Sequence, residues 1–180
     1  CVLSILQNTQ HELIIPDDSG IINIRTDDRF VEKSVRGICI CLIVDTSDSK
    51  RSIEALNGLE CDVLVHESTN AKTVLDGDKS YLYIEGETLR HGHSTPQLAG
   101  KLAKMLDVKQ LLLTHFSSRY KGDEESESLA VMEEIRTSAI SEFGKEMVIT
   151  ARDFMEVKLY KDEDKTIIET NKLMASQKIL

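Results

Sequence analysis

A few side chains in this sequence can move a proton or hold a metal ion, and most of them sit where an apolar run ends. Asp45 directly follows the segment 38–44, ICICLIV. A carboxylate there is poorly solvated and needs partners. It can cap a following helix together with Thr46 and Ser47, or it can ligate a metal. His66 and Glu67 close a second apolar run, 62–65. Side by side they can form an acid–base or orienting pair, or Glu67 can cap the segment that starts at Ser68. His115 ends the run LLLTH. A neutral imidazole in that place is either a hydrogen-bonded structural residue or a zinc ligand. His91-Gly92-His93 has metal-binding spacing, yet Ser94-Thr95-Pro96 reads as a helix start. At a helix N-terminus His93 is placed to meet a phosphate. His11 lies in an undistinguished, surface-type segment.

These residues need elements to bring them together. Residues 38–44 read as a strand buried on both faces. A short helix is expected over 49–59, a second strand over 62–65, and helical turns within 70–91. Pro96 opens a helix to Leu106, with an apolar face of Leu98, Leu102, Ala103, Met105 and Leu106. A third strand covers 111–113. Residues 126–143 form an amphipathic helix that Gly144 ends, and 147–150 and 154–160 read as two more strands. The stretch 167–174 is a terminal helix or a fraying end. Before residue 38 the pattern is weak: a turn cluster at 16–20, a short strand at Ile21, Ile22 and Ile24, and a charged surface stretch, 25–33. Alternation of strands and helices implies an α/β layer structure. Three strands end in Asp45, His66/Glu67 and His115, and strand ends are where such layers assemble sites.

Length and charge narrow the function classes. One domain fits in 180 residues. With 22 basic against 31 acidic residues the formal charge is −9, which excludes bulk electrostatic binding of nucleic acid or an anionic membrane and leaves room for a locally basic site. No apolar run approaches membrane-spanning length, and residues 1–10 lack the features of a signal peptide. The sequence does not begin with Met, as a fragment would not. Of four cysteines, Cys39 and Cys41 share a strand face, which suits buried reduced thiols better than a Cys-x-Cys metal site, and points to an intracellular protein. There is no P-loop, dinucleotide-binding glycine motif or nucleophile elbow.

Taken together, Val44-Asp45-Thr46, Val65-His66-Glu67-Ser68-Thr69, Gly92-His93-Ser94-Thr95-Pro96-Gln97 and the segment from Leu113 to Tyr120 resemble ribonuclease Z in order and approximate spacing. This is the tRNA 3′-processing endonuclease family of the metallo-β-lactamase superfamily. Ala151-Arg152-Asp153-Phe154 resembles the family's later Ala-x-Asp loop. The resemblance implies the C-terminal half of a metallo-β-lactamase αββα sandwich. It divides the chain into 1–38, from the middle of the parent domain; 39–160, the C-terminal half; and 161–180, a charged tail. It implies Asp45 and His115 as ligands of a two-ion zinc site, with Asp45 bridging. It further implies His93 as the proton donor to the leaving oxygen and Glu67 as the carboxylate that orients it. Ser94, Thr95, Arg119, Ala151, Arg152 and Asp153 are the implied substrate contacts, with Lys72 and Arg90 as further candidates for phosphate. The implied partners are precursor tRNA and a missing N-terminal half; a homodimer is allowed and no membrane is involved. The family's His-x-His-x-Asp-His motif is absent, so this chain holds too few ligands for the whole site. The alternatives are another phosphodiesterase of the same fold, or a non-catalytic scaffolding half.

Overall fold

The computed structural model describes residues 2–6, 38–47, 60–153, 155–162 and 165–172, together with Ile53 and Leu56. Those two are helical, as expected for 49–59, and the other residues of 49–59 lie outside the described residues. So do the turn cluster at 16–20, the short strand at Ile21, Ile22 and Ile24, the stretch 25–33, His11 and Phe154.

Strands β1 (Val2–Leu6), β2 (Ile38–Ile43), β3 (Val63–Glu67), β4 (Gln110–Thr114) and β5 (Val148–Thr150) form one sheet in that order. β1 is antiparallel to β2, and the pairs β2–β3, β3–β4 and β4–β5 are all parallel. The parallel run needs crossovers, which the intervening segments supply. These include a 3-10 turn at Val74–Asp76 and helices α1 (Tyr81–Arg90), α2 (Pro96–Met105) and α3 (Ser126–Phe143). The starts of α1 and α2 are chemically marked. Ser80 accepts the Tyr83 N–H ahead of α1, and Thr95 accepts the Leu98 N–H ahead of α2, where Pro96 takes the first position. Gly144 ends α3 in the left-handed conformation that glycine adopts freely.

Period-two alternation sends Cys39, Cys41 and Ile43 of β2, Leu64 of β3 and Leu111 and Leu113 of β4 into one core. Leu102 and Ala103 of α2 and Ile135, Ala139 and Phe143 of α3 meet them there. The expectation that β2 is buried on both faces is corrected. Leu42 and Val44 are 36% and 40% exposed, because α2 and α3 cover one side of the sheet only. The expected helix over 167–174 is corrected as well. Its described part lies in strand β7 (Lys165–Lys172), antiparallel to β6 (Met155–Asp162), with Ile168 opposite Leu159 and Ile167 opposite Tyr160. β-Branched Thr166, Ile167, Ile168 and Thr170 suit a hairpin, and cross-strand pairing overrides the weak helical spacing. β1 was not anticipated.

α2 and α3 approach so closely that a Cβ built on Gly100 would lie 2.4 Å from the Ala139 carbonyl oxygen. Gly100→Ala gains about 1 kcal/mol of helix propensity. It must also displace a backbone carbonyl in a packed contact, and overpacking costs about 1–3 kcal/mol. The expected net result is a lower urea midpoint for the variant, the opposite of what an exposed helical glycine would give.

Candidate functional site

Because β2 to β5 run in parallel, their C-terminal ends share one edge of the sheet, where α/β layers place their sites. Asp45 lies just past β2, Glu67 ends β3, His115 lies just past β4 and Ala151-Arg152-Asp153 leave β5. His93 reaches the same edge from the loop between α1 and α2. Asp45 and His115 both adopt left-handed backbone conformations, with φ of 57° and 55°. Such conformations are uncommon for non-glycine residues and cluster at sites where geometry serves function.

The buried Glu67 carboxylate is the hub. Its Oε1 accepts the Thr46 N–H, which ties it to the loop after β2. Its Oε2 accepts the Thr69 hydroxyl at 2.8 Å and faces His93 Nδ1 at 3.1 Å and His115 Nδ1 at 3.3 Å. A buried carboxylate needs this many donors to offset lost hydration. Asp45 Oδ1 stands 3.6 Å from His93 Nδ1, and the His93 and His115 rings lie 5.3 Å apart between centroids. Glu67, His93 and His115 each offer a ligand atom, all within 4.8 Å of one another. Two imidazoles and a carboxylate are a donor set that catalytic zinc sites use, so these residues fit that ion.

His66 does not join its neighbour. Alternation turns its side chain into the protein, where Nδ1 lies 2.7 Å from the Glu67 carbonyl oxygen. Burial pushes its pKa down and keeps it neutral, and the imidazoles that face the Glu67 carboxylate are those of His93 and His115 rather than His66. His91 also departs from the His-x-His pattern. It caps α1, Gly92 follows at φ 86°, and His91 lines a separate polar cavity of about 200 Å³ beside Asn70, Tyr83 and Arg119. The described cysteines, Cys39, Cys41 and Cys61, are buried, and no disulfide joins any two of them. The hydrogen bond with Cys41, reinforced by burial, raises the Cys61 pKa and keeps that thiol protonated.

Other implied contacts have structural partners. Ser94 is buried and its hydroxyl donates to the Thr46 carbonyl, joining the His93 loop to the Asp45 loop. Thr95 is buried as the cap of α2. Ala151 N–H donates to Leu113 O at 2.8 Å, which anchors the β5 exit; Arg152 is half-buried and Asp153 exposed. Lys72 donates to the Gly77 carbonyl, and Arg90 pairs with Glu87 at 2.6 Å. Arg119 bonds Asp76 at 2.6 and 3.2 Å and the Ala71 carbonyl at 2.7 Å, and it stacks on the Tyr120 ring. It braces the segment that follows Glu67.

Burial alone would raise the Asp76 pKa, but the bonds from Arg119 and the Thr73 N–H outweigh it and hold the carboxyl below its ordinary value. A lowered folded-state pKa contributes stability above the unfolded value near about 3.9 and loses it as pH falls through the folded value. Asp76→Asn is expected to cost roughly 1.5–3 kcal/mol at pH 7. The gap between variant and wild type closes in urea titrations repeated at progressively lower pH below 4.

No protein-family model matches the chain. By sequence it is similar to Zinc phosphodiesterase ELAC protein 1 of Bos taurus, 34% identical over 132 residues, covering 72% of this chain and 33% of that protein. It is also similar to Ribonuclease Z of Bacillus velezensis, 36% identical over 146 residues, covering 81% of this chain and 40% of that protein. Among solved structures, human tRNase Z, short form (ELAC1), overlaps 66% of this chain and 32% of its own length, with 29% identity and a TM-score of 0.39. The chain thus spans 33–40% of the length of these curated relatives. Among the described residues no helix is long and apolar enough to cross a membrane.

Proposed function

Taking as premise that the chain is related by sequence to proteins named ribonuclease Z, we propose that it is the C-terminal half of a zinc-dependent endoribonuclease that processes the 3′ end of precursor tRNA. The observation that carries this reading is the convergence of Glu67, His93 and His115, with Asp45 beside them, from four separate segments onto one sheet edge. Asp45 and His115 would hold zinc, Asp45 as the bridge of a two-ion site. When bound, zinc supplies a water acidified enough to attack phosphorus and positive charge against the scissile phosphate. His93 holds the proton that the departing 3′ oxygen needs, and Glu67 fixes its ring with Oε2 at 3.1 Å from Nδ1. Ser94 and Thr95 shape the His93 loop. Arg119, and Arg152 in the loop from Ala151 to Asp153, are the basic residues we assign to the tRNA end, as the resemblance implies.

The remaining ligands come from a missing N-terminal half, in a protein divided at 38 and 160 as the family pattern implies. Two facts support this: the relatives are about twice as long, and Leu42 and Val44 of the β2 segment are open among the described residues. We place the protein inside the cell, with which the absence of a disulfide among Cys39, Cys41 and Cys61 agrees, and a homodimer is compatible with it. The test is cleavage of precursor tRNA by the full-length protein, with zinc content measured on the same sample. A cut on the 3′ side of the discriminator base with stoichiometric zinc supports the reading. Turnover of bis(p-nitrophenyl) phosphate without precursor tRNA cleavage would replace it by a small phosphodiesterase. A full-length protein that takes up no zinc would be a scaffold.

A further inference from the structure

We infer that Thr69 is the positioning residue that sets the tautomer of His115 and so makes its outer nitrogen a metal ligand; the link to metal rests on the zinc reading above. Thr69 is 8% exposed, and its Oγ1 lies 2.8 Å from Glu67 Oε2, 3.1 Å from His115 Nδ1 and 3.0 Å from the His115 carbonyl oxygen. A hydroxyl has one proton to give. Two oxygens compete for it, and the carboxylate wins, being both charged and nearer. With its proton committed to Glu67, the hydroxyl faces His115 Nδ1 with lone pairs. Nδ1 must then carry the ring hydrogen, and in a neutral imidazole that leaves the lone pair on Nε2. The direct Glu67 contact to the same Nδ1 is longer, at 3.3 Å, and is shared with His93.

The hydroxyl is held where this requires. Thr69 N–H donates to the Ser94 carbonyl at 3.0 Å and its own carbonyl accepts the Ser117 N–H at 2.9 Å, so its backbone bridges the His93 and His115 loops. A β-branched side chain on a pinned backbone has few rotamers to choose from. One hydroxyl therefore links the carboxylate that orients His93 to the imidazole on the adjacent strand end.

Thr69→Val keeps the branch and both backbone bonds and removes only the hydroxyl; Thr69→Ser keeps the hydroxyl. Both are made in the full-length protein. Imidazole 1H–15N spectra of the zinc-free form are expected to show His115 protonated at Nδ1 in wild type and T69S, and divided between tautomers in T69V. Zinc affinity is expected to fall roughly 10–100-fold in T69V and to recover in T69S, as for loss of a hydrogen-bond partner behind a ligand. Nε2-protonated His115 in the wild type, or an unchanged tautomer in T69V, overturns the inference. So does T69V that loses thermal stability but keeps wild-type zinc affinity. If the wild type binds no zinc, the metal reading fails by itself, and the tautomer comparison still decides whether Thr69 governs His115.

Discussion

His93→Ala is expected to lower cleavage of precursor tRNA by roughly 10²–10⁴-fold, the range for loss of a positioned general acid, without changing zinc content. A 3′ oxygen leaving as an alkoxide is a poor leaving group, so the transition state needs a proton there. His93 stands at the sheet edge with Glu67 Oε2 at 3.1 Å and Asp45 Oδ1 at 3.6 Å from its Nδ1, so two carboxylates hold the ring in place. The decisive substrate carries sulfur in place of the bridging 3′ oxygen. A thiolate leaves readily at neutral pH without a proton. With that substrate the H93A defect should largely vanish, whereas a variant that merely distorts the site remains slow. An H93A protein that loses zinc in proportion to activity would make His93 a ligand instead, and the proton-donor role would go.

Much of this site is legible in the sequence because polar residues stand out at the ends of apolar runs. Asp45, Glu67 and His115 each follow such a run, and parallel strands must bring their C-terminal ends to one edge. The helix over 126–143 has the bounds its apolar spacing and Gly144 imply. The misses have physical causes. Local pattern leaves Glu67 either paired with adjacent His66 or capping the segment from Ser68; alternation turns His66 away, and the fold sets His93, 26 positions on and the partner the resemblance implies, 3.1 Å from the carboxylate. Thr69 reads as one more hydroxyl near a turn, since nothing local reveals that its Oγ1 meets a residue 46 positions on. Arg119 reads as a phosphate contact, and nothing local reveals the Asp76 carboxylate that its guanidinium meets in the fold. For 165–172 the spacing of isoleucines fits a helix as well as a strand, and pairing with β6 decides. The apolarity of β2 reads as burial on both faces, whereas the described residues cover one and leave Leu42 and Val44 exposed.

Asp45→Gly separates function from stability more sharply than any other change. Asp45 sits at φ 57° with its side chain 77% exposed, and its described ionic contact is His93 at 3.6 Å. A left-handed backbone costs a non-glycine residue about 1–2 kcal/mol, and glycine is free of that cost. The carboxylate therefore contributes little to the fold and is kept in a strained turn. Strain of this kind is retained where it aims a group that function needs. D45G is expected to fold with a thermal midpoint equal to or above the wild type. Its zinc affinity should drop below roughly a hundredth, since losing a direct ligand costs at least as much as losing a ligand's hydrogen-bond partner, and tRNA cleavage should fall with it. Asp45→Asn tolerates the same backbone and removes only the charge, so it should show the metal and activity loss alone. Calorimetry and zinc titration on the two variants check both halves. A D45G protein that unfolds earlier would make Asp45 a structural cap. One that keeps zinc and cleavage would remove it from the metal site, and with it the ligand pair on which the nuclease reading depends.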